Sequence, residues 1–255
     1  MQFVGYEPTA RGPALIESDG ESIVHRPIER GDEFAYTLGS RRCAGTIDHA
    51  TGTHHPCDRS RAPYCAAHST TWVCARCTGT CLKDEMDCFD EHAVYLAAFA
   101  PDTFKVGVTR LERLETRLRE QGADRAAHVH TVSNGRIARE LEAEIARDLD
   151  DRVSVRRKID GLAASVDEPA WESLLESFGV VERFAFDYGF ELPARPVRET
   201  IATGTVVGIK GRVLVLEQGG TNYAVDMREL VGHEVEPGRA ELNRQSSLGS
   251  FGSSE

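Results

Sequence analysis

Apolar residues between positions 93 and 150 recur with the periods of strands and helices in turn. Two short apolar runs, at 93–99 and 104–109, flank an Ala-Pro-Asp turn and predict a β-hairpin. Leucines then recur at the spacing of one helix face: Leu111, Leu114 and Leu118. Gly122 is suited to end this helix, because helix C-caps often require the left-handed conformation that glycine adopts freely.

A third strand and a second helix follow the first helix. Residues 126–132 alternate as a strand does, and Asn134 is a good N-cap for a helix over 135–150. The apolar residues of that helix share one face: Ile137, Leu141 and Ile145. The order β-β-α-β-α predicts a core over residues 93–165 in a protein of the α+β class.

The flanking segments carry weaker patterns. Residues 1–42 alternate weakly between Gly and Pro turns and predict a small N-terminal β region. Residues 166–196 predict a helical connector. Alternating Val, Ile and Leu runs broken by glycines over 197–240 predict a small C-terminal β-barrel. The Ser/Gly-rich residues 241–255 predict a disordered tail.

All seven cysteines lie between positions 43 and 88, interleaved with histidines at metal-ligand spacing. An odd number of cysteines in an expected cytosolic setting disfavours disulfides. Two short turns, Cys65-x2-His68 and Cys74-x2-Cys77, bring pairs of side chains to the spacing that one tetrahedral zinc ion requires. The candidate ligands are Cys43, Cys57, Cys65, His68, Cys74, Cys77, Cys81, Cys88 and His92.

These ligands predict a zinc-binding region over 43–92 with about two structural ions. The simplest division gives Cys43, Cys57, Cys65 and His68 to one ion. It gives Cys74, Cys77, Cys88 and either Cys81 or His92 to the other, and a cross-braced arrangement is equally compatible with the spacing. His54 and His55 are spare candidates, for which we favour a solvated loop.

The formal net charge of −11 argues against a protein that binds nucleic acid over a wide basic face. The acidity lies in the flanks, because residues 93–165 carry 13 basic and 12 acidic side chains. An acidic chain with 26 Arg and only 4 Lys predicts a halophilic host, in which salt screens surface charge. With no secretory signal and no apolar run near the ~20 residues that cross a bilayer, we expect a cytoplasmic protein without a membrane partner.

The central segment resembles the GIY-YIG nuclease superfamily. The matching elements are Val94-Tyr95, the run from Lys105 to Thr109, Arg117 and Glu142. The resemblance implies a catalytic site of Tyr95, Lys105, Arg117 and Glu142, with Mg²⁺ on Glu142 and the scissile phosphate on Arg117. Lys105 stands where the superfamily has its second tyrosine. Because the interval from Gly107 to Arg117 is two residues longer than usual, Arg113 competes with Arg117 for its role.

A second resemblance extends over nearly the whole chain, to a prokaryotic family catalogued as domain of unknown function 2797. It rests on the cysteines of 74–81 with His92, and on the motifs HAVYL at 92–96, KVGVTR at 105–110, EQGA at 120–123 and GIKG at 208–211. This resemblance implies no function.

Three functions are compatible with these patterns. The first is a zinc-stabilised, Mg²⁺-dependent endonuclease that cleaves phosphodiester bonds in DNA or RNA. The second is a non-catalytic, zinc-containing protein that binds nucleic acid through Arg110, Arg113 and Arg117. The third is an adaptor that binds a protein partner through the C-terminal barrel. The sequence leaves open whether the protein is an enzyme.

Overall fold

The computed structural model describes residues 1–8, 12–69, 73–83 and 85–238. The N-terminal part is built from strands, as its alternation predicts. Six strands precede the central segment: β1 (Gln2–Glu7), β2 (Ala14–Ser18), β3 (Ile23–Pro27), β4 (Glu33–Arg41), β5 (Thr46–Asp48) and β6 (Thr53–His55). The predicted tail at 241–255 lies outside the described residues.

The central segment has the predicted order of elements. They are β7 (His92–Phe99), β8 (Thr103–Arg110), α1 (Leu114–Gln121), β9 (Arg125–Val132) and α2 (Gly135–Ile145). Gly122 ends α1 in the left-handed conformation, and the Asn134 side chain accepts a hydrogen bond from the N–H of Ile137 at the start of α2. Helix α2 ends at Ile145, before the predicted residue 150, and turns follow it.

The remaining elements mix helices and strands. They are α3 (Val155–Asp160), α4 (Glu168–Leu175), β10 (Glu182–Ala185), β11 (Val197–Arg198), β12 (Thr203–Lys210), β13 (Val213–Gln218), β14 (Thr221–Asp226), α5 (Met227–Leu230) and β15 (His233–Pro237). The predicted helical connector thus also contains a strand, β10, which pairs with β9. None of the described helices has the length and hydrophobicity needed to span a membrane.

Strands from the two ends of the chain form one nine-stranded sheet, in the order β11-β14-β13-β12-β4-β15-β1-β2-β3. Strand β4 pairs with β12 on one side and with β15 on the other, and β1 also pairs with β15. The prediction of a small closed barrel at 197–240 is therefore wrong over the described residues. N-terminal strands occupy the edges that the C-terminal strands would need for closure.

A separate four-stranded sheet, β10-β9-β7-β8, carries the central segment. One face packs under α1 through residues such as Tyr95, Phe99 and Leu118. The other face packs under α2 and α4 through residues such as Leu96 and Trp171. Alternate side chains of β7 point to opposite faces, so both faces of this sheet are buried.

The two sheets approach each other closely at a pair of glycines. Gly122 ends α1 and Gly211 lies between β12 and β13, both with positive φ. A Cβ at Gly211 would lie 2.7 Å from the Gly122 nitrogen, so only glycine allows this approach. Beside it, Lys210 forms an ion pair with Asp124 at 2.6 Å. The end of α1 is thereby fixed against the larger sheet.

Candidate functional site

The first predicted ligand set converges in the segment that follows β4. The ligand atoms of Cys43, Cys57, Cys65 and His68 all lie within 4.8 Å of one another. His68 Nδ1 is 3.3 Å from Cys43 Sγ and 3.4 Å from Cys65 Sγ. Tetrahedral zinc, with bonds of about 2.0–2.3 Å, needs neighbouring ligand atoms roughly 3.5 Å apart. The cluster could therefore bind a metal ion such as zinc.

Hydrogen bonds from backbone N–H groups favour the thiolate form of these cysteines, which is the form that binds a cation. The N–H groups of Gly45 and Cys65 donate to Cys43 Sγ at 3.4 and 3.2 Å, and such bonds stabilise a thiolate. Burial raises the pKa of the Cys43 thiol. Burial also acts to raise the pKa of Cys65, but hydrogen bonds from the N–H groups of Ala67 and His68, together with the neighbouring thiols, outweigh it, and the pKa falls to about 6.

The second predicted ligand set does not converge in the same way. Among the described residues, only the first set forms a Cys/His cluster at metal-binding distances. The other candidates instead line one cavity of about 690 Å³: Cys74, Cys77, Cys81, Cys88 and His92. Cys88 and His92 both lie close to Gly135, where an added Cβ would be 3.0 Å from Cys88 Cβ and 2.9 Å from His92 Nε2.

Arginines from β8, the turn after it, α1 and α2 also line this cavity, which we call the arginine groove. They are Arg110, Arg113, Arg117, Arg136 and Arg139. Among the described residues, the groove lining contains one carboxylate, Asp87, which pairs with Lys83 at 2.5 Å. The groove is thus a cationic surface in an acidic protein, and phosphate is the kind of ligand that arginine forks bind.

Each groove arginine also has a carboxylate partner behind it. Arg113 and Arg117 share Glu120, at 3.0 and 3.4 Å. Arg136 pairs with Glu140, and Arg110 pairs with Asp90. These arginines remain about half exposed, and exposed ion pairs contribute little stability. The partners orient the guanidinium groups and leave them accessible from the groove.

Tyr95 is packed in the core between the four-stranded sheet and α1. Its side chain is 1% exposed, and Gln121 Nε2 donates to its hydroxyl at 2.5 Å. Gly107 faces it from β8, and a Cβ there would lie 2.5 Å from the Tyr95 hydroxyl oxygen. Burial raises the pKa of Tyr95. The hydroxyl therefore keeps its proton at neutral pH.

Lys105 lies on the same face of the sheet as Tyr95. Its Nζ is 5.9 Å from the centre of the Tyr95 ring and donates to the carbonyl oxygen of Asp151 at 3.0 Å. Burial lowers the pKa of Lys105 to about 8, and the Arg117 charge adds to that effect while Glu142 opposes it. A substantial fraction of this amine is uncharged in mildly alkaline solution.

Arg117 and Glu142 reach this pair from different helices. Arg117 is on α1 and lines the groove, whereas Glu142 is on α2, mostly buried and paired with Arg139 at 2.5 Å. The charges of both residues act on Tyr95 and on Lys105. Of the four residues that resemble nuclease residues, Tyr95 and Lys105 therefore lie together on one face of the sheet, and Arg117 alone lines the groove.

The sequence did not single out two residues of this neighbourhood, Gln121 and Lys158. Lys158 Nζ donates to the Gln121 carbonyl oxygen at 2.7 Å and lies 4.5 Å from the centre of the Phe99 ring. Burial lowers the pKa of Lys158 to about 7, and the Lys105 charge lowers it further. The sequence signal that could have drawn attention to Lys158 is composition, because lysine is rare in a chain that otherwise uses arginine.

The two spare histidines have different environments. His55 is exposed, as predicted, but it lies at the end of strand β6 and not in a loop. His54 is instead 3% exposed and hydrogen-bonded to Ser18 and Ala44, so the prediction of a solvated loop is wrong for His54. The pairing of β5 with β6 turns its ring inward.

Comparison with known proteins assigns this chain to a family. Neither the curated proteins nor the solved structures include a match to this chain. A family model described as a protein of unknown function, DUF2797, matches residues 31–188, more than half of the chain. The matched residues include the Cys/His cluster of Cys43, Cys57, Cys65 and His68, the arginine groove and the four-stranded sheet. The chain therefore belongs to the DUF2797 family.

Proposed function

We propose that this protein is a zinc-stabilised endonuclease that holds DNA or RNA in the arginine groove and cleaves a phosphodiester bond. One observation carries the proposal. Lys105 Nζ lies 5.9 Å from the centre of the Tyr95 ring, Gln121 of α1 donates to the Tyr95 hydroxyl, and Arg117 of the same helix lines the groove. A phosphate grip, a carboxylate, a hydroxyl donor and an amine of lowered pKa are the groups that phosphodiester hydrolysis requires.

The chemistry assigns a different role to each residue. Arg117 binds the scissile phosphate with its planar fork. Lys105 accepts the proton of the attacking water, because its pKa of about 8 leaves part of the amine uncharged. Tyr95 donates a hydrogen bond and does not act as a base, because burial raises its pKa. Gln121 keeps the Tyr95 hydroxyl in place.

Glu142 brings a single carboxylate, which is paired with Arg139, and Mg²⁺ takes one or two carboxylates and completes its shell with waters and phosphate oxygens. When bound, Mg²⁺ supplies Lewis-acid polarisation of the phosphate. Glu142 would hold it, and release of Glu142 from Arg139 would free that guanidinium for the substrate.

Zinc has a structural role in this proposal. The cluster of Cys43, Cys57, Cys65 and His68 would hold one ion. The cysteines of the groove, with His92, would hold a second and so build one wall of the binding surface.

A second candidate function is binding without cleavage. The observation that favours it is the ion pair of Arg139 with Glu142 at 2.5 Å, which occupies the carboxylate that Mg²⁺ needs. In that case Arg110, Arg113 and Arg117 bind phosphates and Glu142 only orients Arg139.

Labelled DNA and RNA substrates, with Mg²⁺ or with EDTA, test the proposal. We expect Arg117→Ala and Glu142→Gln each to lower the cleavage rate roughly 100-fold or more, because each removes a group that stabilises the transition state. The wild-type rate should rise with pH through about 8, as Lys105 loses its proton.

Matched controls lie on the same helices. Arg119 is on α1, pairs with Glu115 and does not line the groove; Glu144 is on α2 near Glu142. Arg119→Ala and Glu144→Gln should keep wild-type rates. If the wild type binds nucleic acid in a salt-sensitive way but cuts none, the binding function replaces the nuclease; if it does not bind, both fail.

A further inference from the structure

A second cavity lies on the nine-stranded sheet, away from the arginine groove. It has a volume of about 360 Å³ and lies against β1, β2, β4, β6 and β15. The lining residues that matter here are Gln2, Ser18, Asp19, Arg42, His54 and Glu234. Nothing in the proposed nuclease uses this cavity.

Ser18 and His54 form a hydrogen-bonded pair in the cavity wall. Ser18 Oγ is 2.8 Å from His54 Nδ1, and His54 Nε2 is 2.8 Å from the carbonyl oxygen of Ala44. A carbonyl can only accept, so Nε2 carries the hydrogen of the neutral imidazole. Nδ1 is then the acceptor, and Ser18 Oγ donates to it.

This arrangement has the parts of an activated nucleophile. A hydroxyl donates to a base, and a third group fixes the tautomer and orientation of that base. The N–H of Gly20 also donates to Ser18 Oγ, at 2.9 Å, which stabilises negative charge developing on the oxygen. Both side chains are 3% exposed and both line the cavity, so a bound ligand would meet them out of bulk water.

The other lining groups define the ligand. Among the described lining residues, Asp19, Glu234 and Glu236 place three carboxylates on the cavity, whereas the cations are the Met1 amino group and Arg42, which is already paired with Asp58 and Glu234. Gln2 Oε1 is one of the few buried side-chain polar atoms, among the described residues, without a hydrogen-bond partner. This surface disfavours anions and offers acceptors to a cation or an N–H donor.

We propose that Ser18 is a nucleophile activated by His54, and that the cavity accepts esters whose acyl group is neutral or positively charged. Ser18 Oγ attacks the ester carbonyl carbon while its proton passes to His54 Nδ1. The carbon–oxygen bond to the alcohol breaks, the alcohol oxygen leaves with the electron pair and takes the proton from His54 Nδ1, and the acyl group remains on Ser18. Water then attacks the acyl carbon and gives a proton to His54, the bond from the acyl carbon to Ser18 Oγ breaks, Ser18 Oγ takes the proton from His54, and the acyl group leaves as the acid.

The test uses the zinc-loaded, full-length protein and p-nitrophenyl 4-guanidinobenzoate, an ester with a cationic acyl group. We expect a burst of p-nitrophenolate, a mass increase of a single guanidinobenzoyl group, and peptide mapping of that group to Ser18. The anionic ester mono-p-nitrophenyl succinate should react more slowly than neutral p-nitrophenyl acetate.

Neighbouring residues supply matched variants. Ser18→Ala should abolish the label and Ser22→Ala, an exposed serine next to Asp19, should keep it. His54→Gln should slow acylation about 100-fold, the usual loss for a general base, whereas His55→Gln should not. Mapping needs no variant, so a folding defect does not obscure the outcome. A label on cysteines or on scattered residues, or no label on Ser18, overturns the proposal.

Discussion

At the scale of single residues, two lysines contribute to the pH dependence of stability: Lys105, which is buried, and Lys158, which is partly buried. The folded-state pKa is about 8 for Lys105 and about 7 for Lys158, because burial disfavours their charge. Between these values and the unfolded pKa near 10.5, the unfolded chain binds more protons. The free energy of unfolding should therefore rise with pH from about 7 to about 10, by about 1.4 kcal/mol per pH unit for each lysine.

Urea unfolding at pH 7, 8 and 9 measures this slope. Lys158→Met should flatten it, because methionine keeps the buried chain and loses the titrating amine. Lys83→Met is the control, since Lys83 pairs with Asp87 at the surface and its pKa is raised. A slope that is the same in Lys158→Met and in the wild type would contradict the assignment.

At the scale of elements, we expect the segment between β4 and β7 to depend on metal. Its described residues include only two short strands, β5 and β6, so zinc binding would supply much of its folding free energy. We expect Cys65→Ser to lower the zinc content by one ion per chain and to speed amide exchange over residues 43–69. Metal analysis and hydrogen exchange measure both effects.

Ser60→Ala is the matched control, since Ser60 is an exposed residue of the same loop and not one of the clustered ligands. A total of two ions in the wild type would support the second ligand set. Unchanged zinc content in Cys65→Ser would remove the described cluster from consideration.

The central elements could be predicted because their signals are local. The leucine stripe of α1, the Asn134 cap and the left-handed Gly122 each act within a few residues. The Cys65-x2-His68 turn is local too. The nine-stranded sheet could not be predicted, because Ala35 pairs with Thr203 and Gln2 with Glu234. Such pairing depends on residues far apart in sequence, and the same alternation also suits a closed barrel.

At the scale of the whole molecule, β15 holds the N-terminal strands together. It lies between β4 and β1 in the nine-stranded sheet. A chain that ends at residue 230 would leave both strands with an unpaired edge. We expect it to lose protection from hydrogen exchange in β1 and β4 and to aggregate, whereas a chain that ends at residue 238 should keep both. Equal protection in the two truncations would contradict this role of β15.

The position of β4 also has a consequence for synthesis of the protein. Its two partners, β12 and β15, lie far downstream in the sequence and leave the ribosome long after β4. The four-stranded sheet, complete by β10, has all of its strands earlier. Strand β4, which leads directly into Cys43, therefore has no paired strand at either edge while the later segments fold. Release of the C-terminal strands completes the sheet, and slow closure of such distant pairings is expected to limit the folding rate.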